Sequence, residues 1–255
     1  ERTDDQLLAG ETKRLLAELY IESGEYGKAA IAASGAVESE RSLLPSILDL
    51  VREAVEEAEE TDPELIKMLA ELYARAGDSD SASEALARLS EMDKIADEEI
   101  LDLSGEIMKH AGVHLDGVVH NIEAGIRSRA VADSAPYVRS LCREQPDSIG
   151  DLARTLRDKA EQDDSYWLPL TDLLDYLSKE EKLPQPLEFL RALCHLEIGS
   201  IEKAIFEFDQ LLMLDGDLLH ELIPIYERIA ERHDSNPTLH LALYQLHLED
   251  GQLSL

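Results

Sequence analysis

The sequence predicts an all-α protein made of stacked helical hairpins. Three observations support this fold class: the composition, the spacing of the apolar residues and a pattern that recurs along the chain. Only 5% of the 255 residues are aromatic, which is low for a β-rich protein. Leu, Ala and Glu are abundant, and all three favour helices.

The recurring pattern has a Tyr three positions after a small residue, a Gly four positions after the Tyr and an Ala five positions after the Gly. Its copies are Ala17, Tyr20, Gly24 and Ala29, then Ala70, Tyr73, Gly77 and Ala82, and a weaker copy with Ala192, Gly199 and Ala204. In the first copy, Leu16, Leu19 and Tyr20 form an apolar stripe at helical spacing. The Gly ends this helix in the left-handed conformation, and the small Ala lets a second helix approach. The pattern predicts a helix–turn–helix hairpin.

The hairpin resembles the tetratricopeptide repeat (TPR). That family places Leu, a small residue and Tyr on the first helix, then Gly, then three small or apolar packing positions on the second helix. These packing positions are Ala29, Ala33 and Ala36 in the first copy, Ala82, Leu86 and Leu89 in the second, and Ala204, Phe208 and Leu211 in the third. The third copy departs from the family, because Arg191 and His195 stand where Leu and Tyr are usual. The resemblance implies a right-handed α–α superhelix, or solenoid, of TPR-like hairpins.

We expect a single TPR-like domain over 1–255, with about twelve helices that each contact mainly their neighbours. Regular hairpins are expected over about 12–39, 63–92, 186–214 and, as a truncated copy, 236–255, with irregular helical repeats over 93–185. Residues 3–9 are expected to form the end of a preceding helix or a cap. Because the chain opens on Glu1 rather than Met, and stops soon after Gly251, where a second helix should begin, we expect a fragment of a longer protein.

Extra helices are expected between the hairpins. The helical spacing of apolar residues predicts one of them over about 45–60. Thr61 or Asp62 is expected to cap the helix that follows, and Pro63 suits its first position. The stretch containing this extra helix aligns with residues 218–251, so the same series of helices is expected near both ends of the chain.

The net charge of −31 arises from 24 basic and 55 acidic residues. Such a surface repels nucleic-acid phosphates and anionic lipids and attracts basic partners, so we expect no nucleic-acid ligand. Solubility or adaptation to salt is a second interpretation of the acidity. No apolar run is long enough to span a membrane, and Cys142 and Cys194 suit buried, reduced thiols. We therefore expect no membrane insertion and a cytoplasmic location.

No catalytic or metal-binding motif stands out, and we expect neither an enzyme nor a cofactor. His110 and His114 have the spacing of a metal-binding pair, but Gly112 interrupts the turn between them, so exposed or capping roles are expected. A second series, His233, His240 and His247, is interpreted as a coincidence.

Tyr166 and Trp167 lie in the densest aromatic segment of the chain, where a helix begins. One interpretation is a core anchor at the helix start. The other is a contact for a partner, because Trp and Tyr are frequent in binding hot spots.

The TPR resemblance also implies a binding site, because ligands of that family lie in the concave groove lined by the first helix of each hairpin. By position, this groove would present Arg14, Glu18, Ile21, Glu22, Lys67, Glu71, Ala74, Arg75, Phe189, Leu193 and Leu196. Family members that clamp a peptide carboxylate need an Asn where Glu18 and Glu71 stand. That mode of binding is therefore disfavoured, and a mixed acidic groove suits a basic or amphipathic peptide better.

We expect a noncatalytic scaffold that binds another protein or peptide in this groove. Two alternatives stay open. One is a structural module that forms homo-oligomers, since unpaired terminal helices expose apolar stripes. The other is the regulatory part of a larger protein whose effector domain lies outside this chain.

Overall fold

The computed structural model describes residues 2–58, 62–92, 95–232 and 236–251, with side chains from Asp5 onward. The described residues form fourteen α-helices and five short 3-10 turns, and no strand, which confirms the all-α prediction. None of these helices is both long enough and apolar enough to cross a membrane. The chain forms two compact units, Glu1–Ser128 and Arg129–Leu255.

The first unit consists of three helical hairpins and one extra helix. Its helices are α1 (Arg2–Glu22), α2 (Tyr26–Ser39), α3 (Leu44–Glu57), α4 (Pro63–Ala76), α5 (Ser79–Ser90), α6 (Asp97–Ala111) and α7 (Leu115–Ser128). α1 packs on α2, α4 on α5 and α6 on α7, while α3 lies against α4. The helices predicted for residues 12–92 are therefore present.

The turns and helix starts of this unit follow from local chemistry. Gly24 and Gly77 come after α1 and α4 with φ values of +74° and +80°, in the left-handed region that a side chain makes unfavourable. Asp62 caps α4, because its carboxylate accepts a 2.8 Å hydrogen bond from the Glu64 amide. Thr61, the other predicted cap, lies outside the described residues.

The two regular hairpins are held together by the small and apolar residues predicted for their second helices. Ala29, Ala33 and Ala36 are fully buried on α2, one helical turn apart. The equivalent positions of α5 are also fully buried: Ala82, Leu86 and Leu89. Because alanine adds so little bulk, α1 lies close against α2.

α1 differs from the prediction for residues 3–9. It is one continuous helix of 21 residues, not a cap followed by a shorter helix. Gly10 lies within this helix without breaking it, and it packs against the segment after α2. A Cβ atom at Gly10 would lie 3.0 Å from Leu43 Cδ1 and 3.1 Å from Glu40 Cβ, so a larger residue there would require the segment after α2 to shift by a few tenths of an ångström.

The second unit contains the remaining seven helices. They are α8 (Ala135–Glu144), α9 (Ile149–Gln162), α10 (Trp167–Ser178), α11 (Gln185–Glu197), α12 (Ile201–Leu214), α13 (Leu219–Arg232) and α14 (Pro237–Glu249). Three aromatic rings join α11, α12 and α13: the Phe208 ring centroid lies 5.4 Å from that of Phe189 and 5.8 Å from that of Tyr226. Gly199 ends the first helix of the α11–α12 hairpin with a φ of +84°.

The indole of Trp167 lies in the core of the second unit. Only 4% of the residue is exposed, and it occupies the first position of α10. Of the two interpretations of this aromatic segment, the core anchor therefore agrees with the structure.

Both cysteines are free thiols. Cys194 is fully buried on α11, and Cys142 is half-buried on α8. Burial raises the pKa of the Cys194 thiol far above its ordinary range, so this group stays protonated and unreactive.

Candidate partner-binding groove

A groove of about 870 Å³ opens on the first unit among α1, α2 and α4. We call it the first groove. α2 contributes most of its lining, with α1 and α4 adding residues beside it. Its lining includes the apolar side chains of Leu16, Tyr20 and Ile31 and the charged side chains of Lys67 and Glu71.

Small residues on α2 keep the first groove open. Gly27, Ala30 and Ser34 line it at successive turns of the helix. A Cβ atom at Gly27 would meet no other atom within 4 Å. The space above this glycine is therefore available to a ligand.

Apolar side chains lie exposed in the first groove. Ile31 on α2 is 77% exposed, and Leu16 on α1 is 40% exposed. Covering such side chains with apolar groups of a ligand stabilises a complex by about 25 cal/mol for each Å² removed from water.

The lysines of the first groove are held by groups of the protein itself. Lys13 donates hydrogen bonds to the Gly35 carbonyl at 3.1 Å and to the Ser39 hydroxyl at 2.9 Å. Lys67 forms an ion pair with Glu99. Of these two lysines, Lys67 is paired with a carboxylate, whereas the Lys13 hydrogen bonds go to neutral oxygens and leave its positive charge in the groove.

Glu71 is a groove carboxylate whose ionisation is shifted by its surroundings. Burial raises the pKa of Glu71, and the opposing positive charges of Lys67 and Arg75 do not fully offset it. A further cation placed beside this carboxylate by a ligand would favour its ionised form. Glu38 and Glu64 add two more carboxylates to the lining.

Of the residues predicted to line a groove, Lys67 and Glu71 do line the first groove. Arg14, Glu18, Glu22 and Arg75 are absent from its lining. The Arg14 guanidinium instead donates to Glu11 at 2.8 Å and to Glu18 at 3.4 Å. Arg75 donates to the Ser34 carbonyl at 3.5 Å, and Glu22 is exposed on α1.

The residues predicted on α11 do not form part of the first groove. Leu193 and Leu196 are fully buried, so the prediction that they face a ligand is wrong. α9, α10 and α12 all pack against α11 and cover it. Phe189 lines a separate pocket of about 390 Å³ in the second unit, together with Arg157 and Glu221.

Sequence reasoning missed the contribution of α2 to the first groove. The family resemblance assigns the groove to first helices only, whereas Gly27, Ile31 and Ser34 belong to a second helix. Their spacing of three to four residues was the available signal, since such residues share a helix face.

The apolar stripe predicted on α1 is less buried than its spacing suggests. Leu19 is 58% exposed and Leu16 is 40% exposed, while Ala17 is fully buried. α1 thus rests on α2 through small residues and leaves its larger leucines outside.

Arg191 and His195, where the third hairpin departs from the TPR pattern, belong to a partly buried ionic cluster. His195 Nε2 lies 3.1 Å from Asp175 Oδ1, and Arg191 lies 3.1 Å from Glu207. Lys203 donates to Asp175 at 2.8 Å. Burial opposes ionisation of Asp175, but the hydrogen bond from Lys203 and the neighbouring His195 outweigh it and lower the pKa of the Asp175 carboxyl. These charges link α10, α11 and α12.

The described residues contain no group of three His, Cys, Asp or Glu side chains placed to hold a metal ion. His114 instead contacts the Ser83 hydroxyl and lies 3.0 Å from the Gly112 carbonyl. His233, part of the second histidine series, lies outside the described residues.

No protein-family model matches this chain. No curated protein matches it at a significant level.

Proposed function

We propose that this chain is a noncatalytic interaction module, an irregular TPR-like solenoid that binds a segment of a partner protein in the first groove. The observation that supports this most directly is the groove itself. It combines exposed apolar side chains, of which Ile31 is the most exposed, with a half-buried carboxylate at Glu71. Grooves of this kind suit an amphipathic peptide.

The relation to the TPR family is supported by the hairpin turns and the packing behind them. Gly24, Gly77 and Gly199 all have positive φ, and the small or apolar positions after them are buried. These features support the proposed relation to the TPR family, and a solenoid is the arrangement that this relation would imply.

The proposed ligand is a basic, amphipathic segment of another protein. Its apolar side chains would cover Ile31 and Leu16, and its cations would meet Glu71. The overall charge of −31 would speed the approach of such a partner and oppose nucleic acid. Two free thiols suit a reducing compartment, and we place the protein in the cytoplasm.

The test begins with peptides selected from a phage-displayed library against the purified chain. We expect the selected peptides to be amphipathic and rich in Lys or Arg. Gly27→Leu fills the open space of the first groove and should weaken their binding about tenfold or more. Gly150→Leu is the matched control, because a Cβ there also meets nothing within 4 Å but lies in the second unit.

A second pair of variants distinguishes the groove seen in the structure from the groove predicted from the sequence. Glu71→Lys should reduce binding, while Glu18→Lys, at the equivalent repeat position, should leave it unchanged. Calorimetry gives both affinities. Selected peptides that bind the Gly27→Leu and Glu71→Lys variants as tightly as the unmodified chain would refute the proposal.

Self-assembly is a second candidate function, favoured by the outer face of α1. Leu8, Leu15 and Leu19 are 69%, 50% and 58% exposed and share one helix face by their spacing. Sedimentation velocity tests this candidate. If the chain self-assembles through this face, the unmodified chain should sediment as a dimer or larger species, and the combined Leu8→Ser, Leu15→Ser and Leu19→Ser variant should be a monomer. A monomeric unmodified chain would exclude self-assembly.

A further inference from the structure

The second unit has a groove of its own, formed by α12, α13 and α14. It measures about 540 Å³, and we call it the second groove. Its floor is apolar and tightly packed: Tyr226, Ala242 and Leu246 line it and are 2%, 8% and 6% exposed. Met213 and Leu248 extend the apolar surface toward solvent.

Large apolar side chains lie exposed on the two outer helices of the second groove, α12 and α14, and of these Met213 lines the groove itself. Phe206 and Met213 on α12 are 64% and 79% exposed, and Leu214 beside them is 68% exposed. On α14, Leu241 and Tyr244 are 59% and 46% exposed. Single exposed apolar residues are ordinary, but a set spread over two adjacent helices is typical of an interaction surface. Aromatic residues and Met are enriched at such surfaces.

The charge beside this apolar surface is negative. Asp209 on α12 and Glu249 on α14 both line the second groove. Burial raises the pKa of the Asp209 carboxyl, and the charge of Glu249 raises it further. Among the described residues no cation pairs with Asp209. The one lysine of α12, Lys203, donates to Asp175 at 2.8 Å.

We propose that the second groove docks an amphipathic helix of another protein that carries Lys or Arg beside its apolar face. The apolar face of that helix would cover Phe206 and Met213, and its cations would pair with Asp209 and Glu249. A helix fits better than a strand, because the described residues offer no sheet edge to extend. A second copy of this chain docked by the same surface fits poorly, because it would bring its own Asp209 and Glu249 against the same carboxylates.

The probe is a synthetic helix of about five turns built from Leu and Lys, with the leucines on one face. A control peptide has the same composition with the leucines distributed around the helix, and a second control replaces Lys with Glu. Binding is measured by calorimetry with the full chain. The Phe206→Ser, Met213→Ser variant should weaken binding of the patterned peptide about tenfold or more at this groove. Both side chains are largely exposed, so circular dichroism should show an unchanged fold.

A local readout distinguishes this groove from the first one. Exposed methionine is oxidised by hydrogen peroxide to the sulfoxide, and a bound helix would shield Met213. Mass spectrometry should show Met213 protected by the patterned peptide, while Met68 and Met108, each 2% exposed, serve as buried references. Gly27→Leu, which fills the first groove, should not alter this protection.

Three results would overturn the proposal. The first is equal protection of Met213 by the patterned peptide and by the control with distributed leucines, since charge alone would then explain binding. The second is unchanged affinity and protection when Asp209→Asn and Glu249→Gln are combined. The third is a dimer that the Phe206→Ser, Met213→Ser variant converts to a monomer, which would assign the surface to a second copy.

Discussion

Phe206 and Phe208 lie two residues apart on α12 and have opposite environments. Phe206 is 64% exposed, whereas Phe208 is fully buried. The Phe208 ring packs 5.4 Å from the Phe189 ring and 5.8 Å from the Tyr226 ring. Replacing each phenylalanine with alanine removes the same atoms from the same helix, so the comparison isolates the effect of burial.

The expected free-energy changes differ widely. Phe208→Ala should lower the free energy of unfolding by about 3–5 kcal/mol, through lost burial and a cavity. The two aromatic contacts each account for about 0.5–1.5 kcal/mol of that loss. Phe206→Ala should change it by less than about 0.5 kcal/mol, because the exposed ring loses little and alanine favours the helix.

Urea denaturation monitored by Trp167 fluorescence is the appropriate assay. Trp167 is the only Trp of the chain and is buried in the same unit as α12, so its signal reports that unit. With a urea dependence of about 2 kcal/mol per M, Phe208→Ala should lower the midpoint by about 1.5–2.5 M. Shifts of similar size in the two variants would refute the assignment of Phe208 to the core and of Phe206 to the surface.

Three further predictions concern glycine, pH and the buried charges. Gly77→Ala should cost about 1–2 kcal/mol, because φ at Gly77 is +80°, whereas Gly27→Ala in open helical space should be neutral or stabilising by up to about 1 kcal/mol; thermal unfolding compares them. Burial raises the pKa of Glu71, so the folded chain holds this proton more tightly. Its contribution to the free energy of unfolding therefore falls as the pH rises from the ordinary carboxyl pKa of about 4.3 through the raised value. Glu71→Gln should remove this dependence in urea titrations between about pH 4 and about pH 8, and an identical pH profile would contradict the assignment. Arg191→Leu should cost about 3 kcal/mol by leaving the Glu207 carboxylate without its 3.1 Å partner, and adding Glu207→Leu should recover most of the loss; chemical denaturation that shows no recovery would contradict the pairing.

The sequence by itself determined the hairpins, because their causes are local. A glycine with positive φ ends a helix wherever it lies in the fold, and Gly24, Gly77 and Gly199 were all identified from spacing. The cap at Asp62 depends only on the residues that follow it. The resemblance to the TPR family likewise indicated which residues of α2 and α5 pack against the first helix of each hairpin.

Only the tertiary structure decided which faces are covered and which stay open. Leu193 and Leu19 both lie on apolar helix faces, yet Leu193 is fully buried and Leu19 is 58% exposed. The difference arises because three helices pack around α11, while α1 meets α2 mainly through small residues. Periodicity identifies the residues that share a face, but the neighbours that cover it come from distant parts of the chain. For the same reason the structure brings Gly27 and Ile31 of a second helix into the first groove beside Glu71, and leaves Glu18, at the repeat position equivalent to Glu71, outside it.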